Sequence, residues 1–166
     1  MPRLATIGVY GFSAETFAQA LRDADVRLLV DVRQRRGVRG SQFAWANARR
    51  LQALLAEAGI AYSHHRELAP TTELRQLQYR EDDRLGVGKR SRRRLAPEYV
   101  ERYTREILDR ADLDPLIAEF PAAGRPALLC VECEAAACHR SLIAARLAAE
   151  RRFDVVHLVP APASTD

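Results

Sequence analysis

The stretch Val26-Arg27-Leu28-Leu29-Val30-Asp31-Val32 decides the fold class. Its apolar run is nearly continuous, not alternating, and it stops at a charge. A strand buried on both faces of a parallel sheet reads this way. Residues 4–9 and 127–131 repeat the pattern, residues 60–64 form a shorter third strand, and residues 155–159 form a last one.

Helical signals fill the gaps. Ser13 is an N-cap for a helix reaching about Ala24, with Glu15 in its first turn, where a negative charge suits the helix dipole. Leu51, Leu54, Leu55 and Ala58 recur at helical spacing until Gly59 ends that helix. Pro97 fits a first helical position, Val100, Tyr103, Ile107 and Ala111 supply the apolar stripe behind it, and Pro115 opens a shorter helix. A last helix is expected over 139–151. Residues 67–96 are polar and poorly periodic, and read as a flexible loop or lid with one helix near Leu74 and Leu77.

This alternation predicts a three-layer, Rossmann-like α/β fold around a mainly parallel five-stranded sheet. With right-handed crossovers the simplest strand order is 3-2-1-4-5, with the first strand central and a crevice beyond the carboxyl ends of strands one and four. Residues 1–159 are read as one domain and residues 160–166, Pro-Ala-Pro-Ala-Ser-Thr-Asp, as a disordered tail.

Composition narrows the class. At 166 residues with 48% apolar residues, the chain can sustain a core without staples. No apolar run reaches the roughly 18–20 residues of a membrane span, and the strand begins too soon after Met1 for a secretion signal. The three cysteines, Cys130, Cys133 and Cys138, crowd one segment, a poor disulfide framework that suits a reducing cytoplasm. The net charge of +4 is concentrated in two arginine-rich stretches, 33–50 and 84–94. They are either a solvated surface or a footprint for a nucleotide or nucleic acid.

The segment Cys130-Val131-Glu132-Cys133-Glu134-Ala135-Ala136-Ala137-Cys138-His139-Arg140-Ser141 carries the candidate chemistry. It runs from a strand end to a helix start, where unpaired N–H groups and a positive dipole favour anions. Arg140, with Ser141 beside it, offers a planar donor fork for phosphate or carboxylate. His139 can exchange a proton near neutral pH, and a thiol placed here gains thiolate character. The candidate catalytic residues are therefore Cys130, Glu132, Cys138, His139 and Asp31. The candidate ligand-binding residues are Tyr10, Arg33, His64, Glu67, Arg140 and Ser141. A structural role remains open for several of them: Cys130 as a core residue, Cys138 as a buried cap, Arg140 as a partner of Glu132, and Asp31 with Arg33 as a mutual ion pair.

No cofactor motif is present. Gly86-Val87-Gly88-Lys89 lacks the preceding strand and spacing of a phosphate loop. The pattern C-x2-C-x4-C-H has four possible zinc ligands, but Cys130 on a strand should face away from Cys133, and adjacent Cys138 and His139 need an awkward turn to share one ion. No metal is assigned on the sequence alone.

With these residues in view the chain resembles the domain of unknown function 488 family of bacterial and archaeal proteins. The resemblance runs through Thr6-Ile7-Gly8, Asp31-Val32-Arg33, Phe43, Gly59-Ile60-Ala61-Tyr62, His64, Glu67-Leu68, Tyr99, Tyr103, Cys130-Val131-Glu132 and Cys138-His139-Arg140. The pairing of C-x-E with C-H-R is its specific part. Ala69 departs from the glycine expected after Glu67-Leu68, and Cys133 is peculiar to this chain. The resemblance implies the fold and the site, and no reaction. A looser likeness to rhodanese-like sulfurtransferases rests on Asp31-Val32-Arg33 and on the strand, loop and helix from Leu129 to Ser141. The loop spacing does not match, because Cys130 precedes Arg140 by ten residues, so that likeness is one of convergent logic.

The function these residues lead us to expect is a small hydrolase or transferase acting on a phosphate-bearing or otherwise anionic ligand, a nucleotide or nucleic acid. Cys130 or Cys138 would be nucleophile, and Glu132, His139 or Asp31 acid or base. The alternatives are a non-catalytic nucleic-acid-binding module using the arginine-rich loops, and rhodanese-like thiol chemistry. No membrane partner is expected.

Overall fold

The computed structural model describes residues 1–162. Five strands, β1 (Arg3–Ile7), β2 (Val26–Asp31), β3 (Ala61–His64), β4 (Arg125–Leu129) and β5 (Asp154–Leu158), form one all-parallel sheet. Six α-helices connect them: α1 (Ala14–Asp23), α2 (Ala48–Glu57), α3 (Thr72–Leu85), α4 (Pro97–Glu106), α5 (Asp114–Ala118) and α6 (Arg140–Arg151). The class is the α/β fold anticipated above. No helix among the described residues is long and apolar enough to cross a membrane.

The strand order is 3-2-4-1-5, which corrects the expected 3-2-1-4-5. The central strand is β4, inserted between β2 and β1. The apolar content of β1 and β4 could not rank them, since both are buried over their last four residues. Pro126, in the central strand, cannot donate to a ladder. It is accommodated because the β2–β4 register shifts between Val26 and Leu28, an irregularity that falls beside the proline.

Local signals set the helix ends. Ser13 caps α1 in a reciprocal capping box with Thr16. Thr71 caps α3 through the Leu74 N–H, and Gly86 ends it in the left-handed conformation. Pro97 stands in the first turn of α4. α1 and α2 pack together beside β2 and β3, whereas α6 packs on β1, β4 and β5. Right-handed crossovers then place α1 and α2 on one face and the later helices on the other. The region expected as loop or lid with one helix near Leu74 and Leu77 contains that helix as α3, 14 residues long, with both leucines buried. Residues 160–162 carry no regular structure. The rest of the expected tail, 163–166, lies outside the described residues.

Candidate functional site

The new strand order puts the carboxyl end of β4 between those of β1 and β2. The segment after β4 is clamped from both sides. Val9 and Tyr10 N–H both donate to Val131 O, at 2.9 and 3.0 Å, and Val32 N–H donates to Leu129 O at 3.1 Å. Gly8 allows the closest approach, since a Cβ there would lie 1.9 Å from Glu132 O. That carbonyl accepts from Arg140 Nη1 at 2.6 Å, while Arg140 Nη2 donates to Cys133 O and Nε to Thr6 Oγ1.

Beyond these strand ends lies a cavity of about 700 Å³, within the range of small-molecule sites. Three side chains meet on its wall. Cys130 Sγ and Cys138 Sγ each stand 3.7 Å from His139 Nδ1, and the three atoms lie within 4.8 Å of one another. His139 Nε2 donates to Val32 O at 2.8 Å, which leaves Nδ1 facing the sulfurs. The Tyr103 ring packs on the imidazole with centroids 5.5 Å apart. The turn thought awkward is made by a backbone change: Cys138 is extended (φ −138°, ψ 144°) and His139 helical (φ −59°, ψ −21°), so the alternation of a strand does not apply.

Glu132 is buried beside this cluster. Its Oε2 accepts from Cys130 Sγ at 3.6 Å and its Oε1 from Arg92 Nη2 at 2.8 Å. Arg92, itself 7% exposed, also donates through Nη1 to Asp82 at 2.6 Å and through Nε and Nη2 to Ala137 O.

The electrostatics follow from burial and proximity. Burial pushes the Cys138 thiol up, but Cys130, His139 and Arg140 outweigh it and hold Cys138 well below 9.0. Burial, with Cys138 and Glu132 nearby, holds Cys130 well above that value. His139 is pressed down by burial and raised by Cys138, Val32 O and Glu132, with a net upward shift. Of the two buried thiols Cys138 is thus the one disposed to lose its proton, with His139 beside it and Cys130 held the other way. Burial is also the main reason Glu132 is raised, against Lys89 and Arg92. For Lys89 the downward push of burial is outweighed by Glu132, Tyr79, Cys130 and Tyr10.

Six of the eleven sequence candidates line the cavity: Tyr10, Arg33, Cys130, Glu132, Cys138 and His139. The other five do other work. Asp31 is fully buried and receives Arg33 Nε and Nη2 at 2.9 and 2.8 Å and Tyr62 OH at 2.6 Å. His64 Nε2 donates to Arg33 O. Glu67 pairs with His65, which also meets Glu119. Arg140 tethers the segment after β4, and Ser141 Oγ donates to Cys138 O. The Asp31–Arg33 pair is buried, not at the surface.

Lys89, Arg90 and Arg92 line the cavity too, as does Tyr99. The basic stretch 84–94 was the only sequence signal for the three cations. Nothing in it separated inward-facing Lys89 and Arg92 from exposed Arg93 and Arg94. The family model described as Domain of unknown function DUF488 matches residues 13–147, which include every residue of this wall except Tyr10. The chain belongs to the DUF488 family. The match spans α1 through most of α6, so the clamped segment and both arginine stretches fall inside the DUF488 region. No curated protein and no solved structure matches the chain.

Proposed function

We propose that this DUF488 protein is an enzyme, a hydrolase or transferase that takes a small phosphate-bearing ligand into the cavity above the Cys130–Cys138–His139 cluster. One observation carries the reading. Seven cationic side chains line the cavity against one carboxylate, Glu132. Arg33 and Arg92 are neutralised by Asp31, Asp82 and Glu132. The other five, Arg35, Arg39, Arg75, Lys89 and Arg90, make no ion pair among the described residues. Arg75 and Lys89 are half-buried and Arg35, Arg39 and Arg90 exposed, and unpaired cations gathered around one concavity draw an anion to it.

Arg90 is positioned for this by stacking over Tyr10 and Phe43, its guanidinium 5.4 and 5.1 Å from the ring centroids. The ligand's anionic group binds these cations and its reacting atom lies over the Cys–His cluster, which supplies the nucleophile. Glu132 and His139 are the proton-exchanging groups within reach. Asp31 drops out of that role, because Arg33 and Tyr62 occupy its oxygens.

Parts of both basic stretches, far apart in sequence, line one pocket, with Arg33, Arg35 and Arg39 from the first and Lys89, Arg90 and Arg92 from the second, and that convergence favours a small anion over a nucleic-acid backbone. The test is calorimetric titration with pyrophosphate and nucleoside monophosphates, beside a turnover screen on phosphorylated metabolites. Lys89→Ala and Arg35→Ala should each weaken pyrophosphate roughly ten-fold or more, the worth of one charge-assisted hydrogen bond. Tight binding of RNA or DNA with a steep salt dependence, and no binding or turnover of small phosphates, would establish the binding-module alternative instead.

A further inference from the structure

We propose that Cys130, Cys138 and His139 bind a zinc ion at the floor of this cavity, with a fourth coordination position open to the ligand. The donor atoms already stand where such an ion needs them. Zinc bonds of about 2.3 Å to sulfur and about 2.0–2.1 Å to imidazole nitrogen, at tetrahedral angles, put sulfur and nitrogen about 3.6 Å apart and the two sulfurs about 3.8 Å apart. Both sulfurs lie 3.7 Å from His139 Nδ1, and the sulfur–sulfur separation falls within 4.8 Å. The ion therefore fits with small adjustments of the thiol rotamers.

The imidazole is oriented as a metal ligand is. Its Nε2–H is fixed by Val32 O at 2.8 Å, so the Nδ1 lone pair can point only toward the sulfurs. A backbone carbonyl holding the far nitrogen is the usual support of a zinc-bound histidine. The Tyr103 ring packs against the imidazole at a tilt of 59°.

The donor set also says what kind of site it is. A closed structural site needs four protein ligands, and Cys133, the only further cysteine, is half-exposed on the loop and outside the cluster. Two thiolates and one imidazole with an open position are a catalytic donor set. Cys130, Cys138 and His139 all line the cavity, so the open position faces it. Two thiolates neutralise the ion, and the nearby unpaired cations would draw an anion or hydroxide to the fourth position. Glu132 Oε2, 3.6 Å from Cys130 Sγ, is within reach of a water bound there. Only this catalytic role rests on the reading of the cavity as an active site; binding of the ion does not.

The experiment needs no ligand. Protein expressed in zinc-supplemented medium is desalted and its metal measured by mass spectrometry. The apo form is then titrated with Co²⁺ and watched for thiolate-to-cobalt charge transfer and the intense visible bands of a tetrahedral ion. One equivalent of metal and both spectral signatures are expected. Cys130→Ser, Cys138→Ser and His139→Ala should each weaken the metal by more than the roughly 10–100-fold that loss of a supporting group costs, and Cys133→Ser should leave it unchanged. In case those variants do not fold, iodoacetamide labelling of the parent protein gives a second reading, with zinc protecting Cys130 and Cys138 but not Cys133. Sub-stoichiometric metal without the cobalt bands, or equal labelling with and without zinc, overturns the proposal and leaves a bare thiolate as nucleophile. Pyrophosphate titration of the same samples separates the two readings: metal without anion binding removes the proposed function, and anion binding without metal removes only the zinc.

Discussion

Replacing Arg92 by Met leaves two carboxylates, Asp82 and Glu132, facing each other across a buried gap with no cation between them. In the parent protein Arg92 donates to both, at 2.6 and 2.8 Å, and twice more to Ala137 O. All three side chains are nearly inaccessible, at 6%, 5% and 7% exposure, so solvent screening does little. Removing one partner of such a buried pair costs about 3–5 kcal/mol. For a chain of this size, roughly 2–4 °C of melting temperature goes with each kcal/mol, so Arg92→Met should melt about 6–20 °C below the parent. Differential scanning fluorimetry at pH 7 measures it. Arg92→Lys should fall between, because one ammonium cannot span Asp82, Glu132 and Ala137 O together. The triple variant Arg92→Met, Asp82→Asn, Glu132→Gln should recover much of the loss, since the unpaired charges go with the cation. A melting temperature for Arg92→Met within about 2 °C of the parent would refute the reasoning, for it would mean water reaches this network.

Arg140→Lys keeps the charge but cannot span Thr6, Glu132 O and Cys133 O, at 3.2, 2.6 and 3.2 Å. It should lower the melting temperature by several degrees, about 1–3 kcal/mol for a buried acceptor left unpaired, and change pyrophosphate affinity less than Lys89→Ala does. The reverse ranking would put Arg140 in the anion site. His65 gives a pH dependence: burial lowers its pKa, but Glu67 and Glu119 outweigh this and leave it above the ordinary 6.5. A raised folded-state value means the folded protein holds the proton more tightly, so this stabilisation is complete below 6.5 and fades as pH rises through the folded-state value. Melting curves of parent and His65→Gln should converge as pH rises through that window; curves that stay parallel would show that the pairs contribute nothing.

Much of the framework was legible because local chemistry dictated it. Ser13, Pro97 and Gly59 mark helix boundaries by what their backbones and side chains can do, and β2 announces itself by an apolar run too continuous for an exposed strand. Strand order was not legible, since neighbours in a sheet depend on long-range pairing that β1 and β4, equally apolar, could not encode locally. The burial of Arg92 was hidden for a related reason. An arginine goes inside only when distant carboxylates meet it, and Asp82 and Glu132 are ten and forty residues from Arg92. The cysteine–histidine cluster was half visible. Its members were named, but adjacent Cys138 and His139 were expected to need an awkward turn, which a change of backbone conformation between them supplies.

The order 3-2-4-1-5 is also what makes the site possible. With β1 between β2 and β4, the carbonyl of Val32 would lie a further strand away, about 4.8 Å more, and His139 Nε2 could not reach it. The imidazole would then be free to turn and Nδ1 would not be held toward the sulfurs. The inserted β4 instead carries Cys130 and Glu132 up between Gly8 and Val32. Arg33 to Arg39 overhang from one side, and the segment after α3 brings Lys89, Arg90 and Arg92 to the same cavity. The two basic stretches and the CHR segment therefore converge through one topological choice. Gly8→Ala probes it directly, because a methyl group 1.9 Å from Glu132 O forces the clamped segment away from β1. Cobalt affinity should fall in this variant even where the protein remains folded by circular dichroism, since the cluster depends on where β4 ends. Unchanged cobalt binding would show that Cys130, Cys138 and His139 hold their geometry without that clamp.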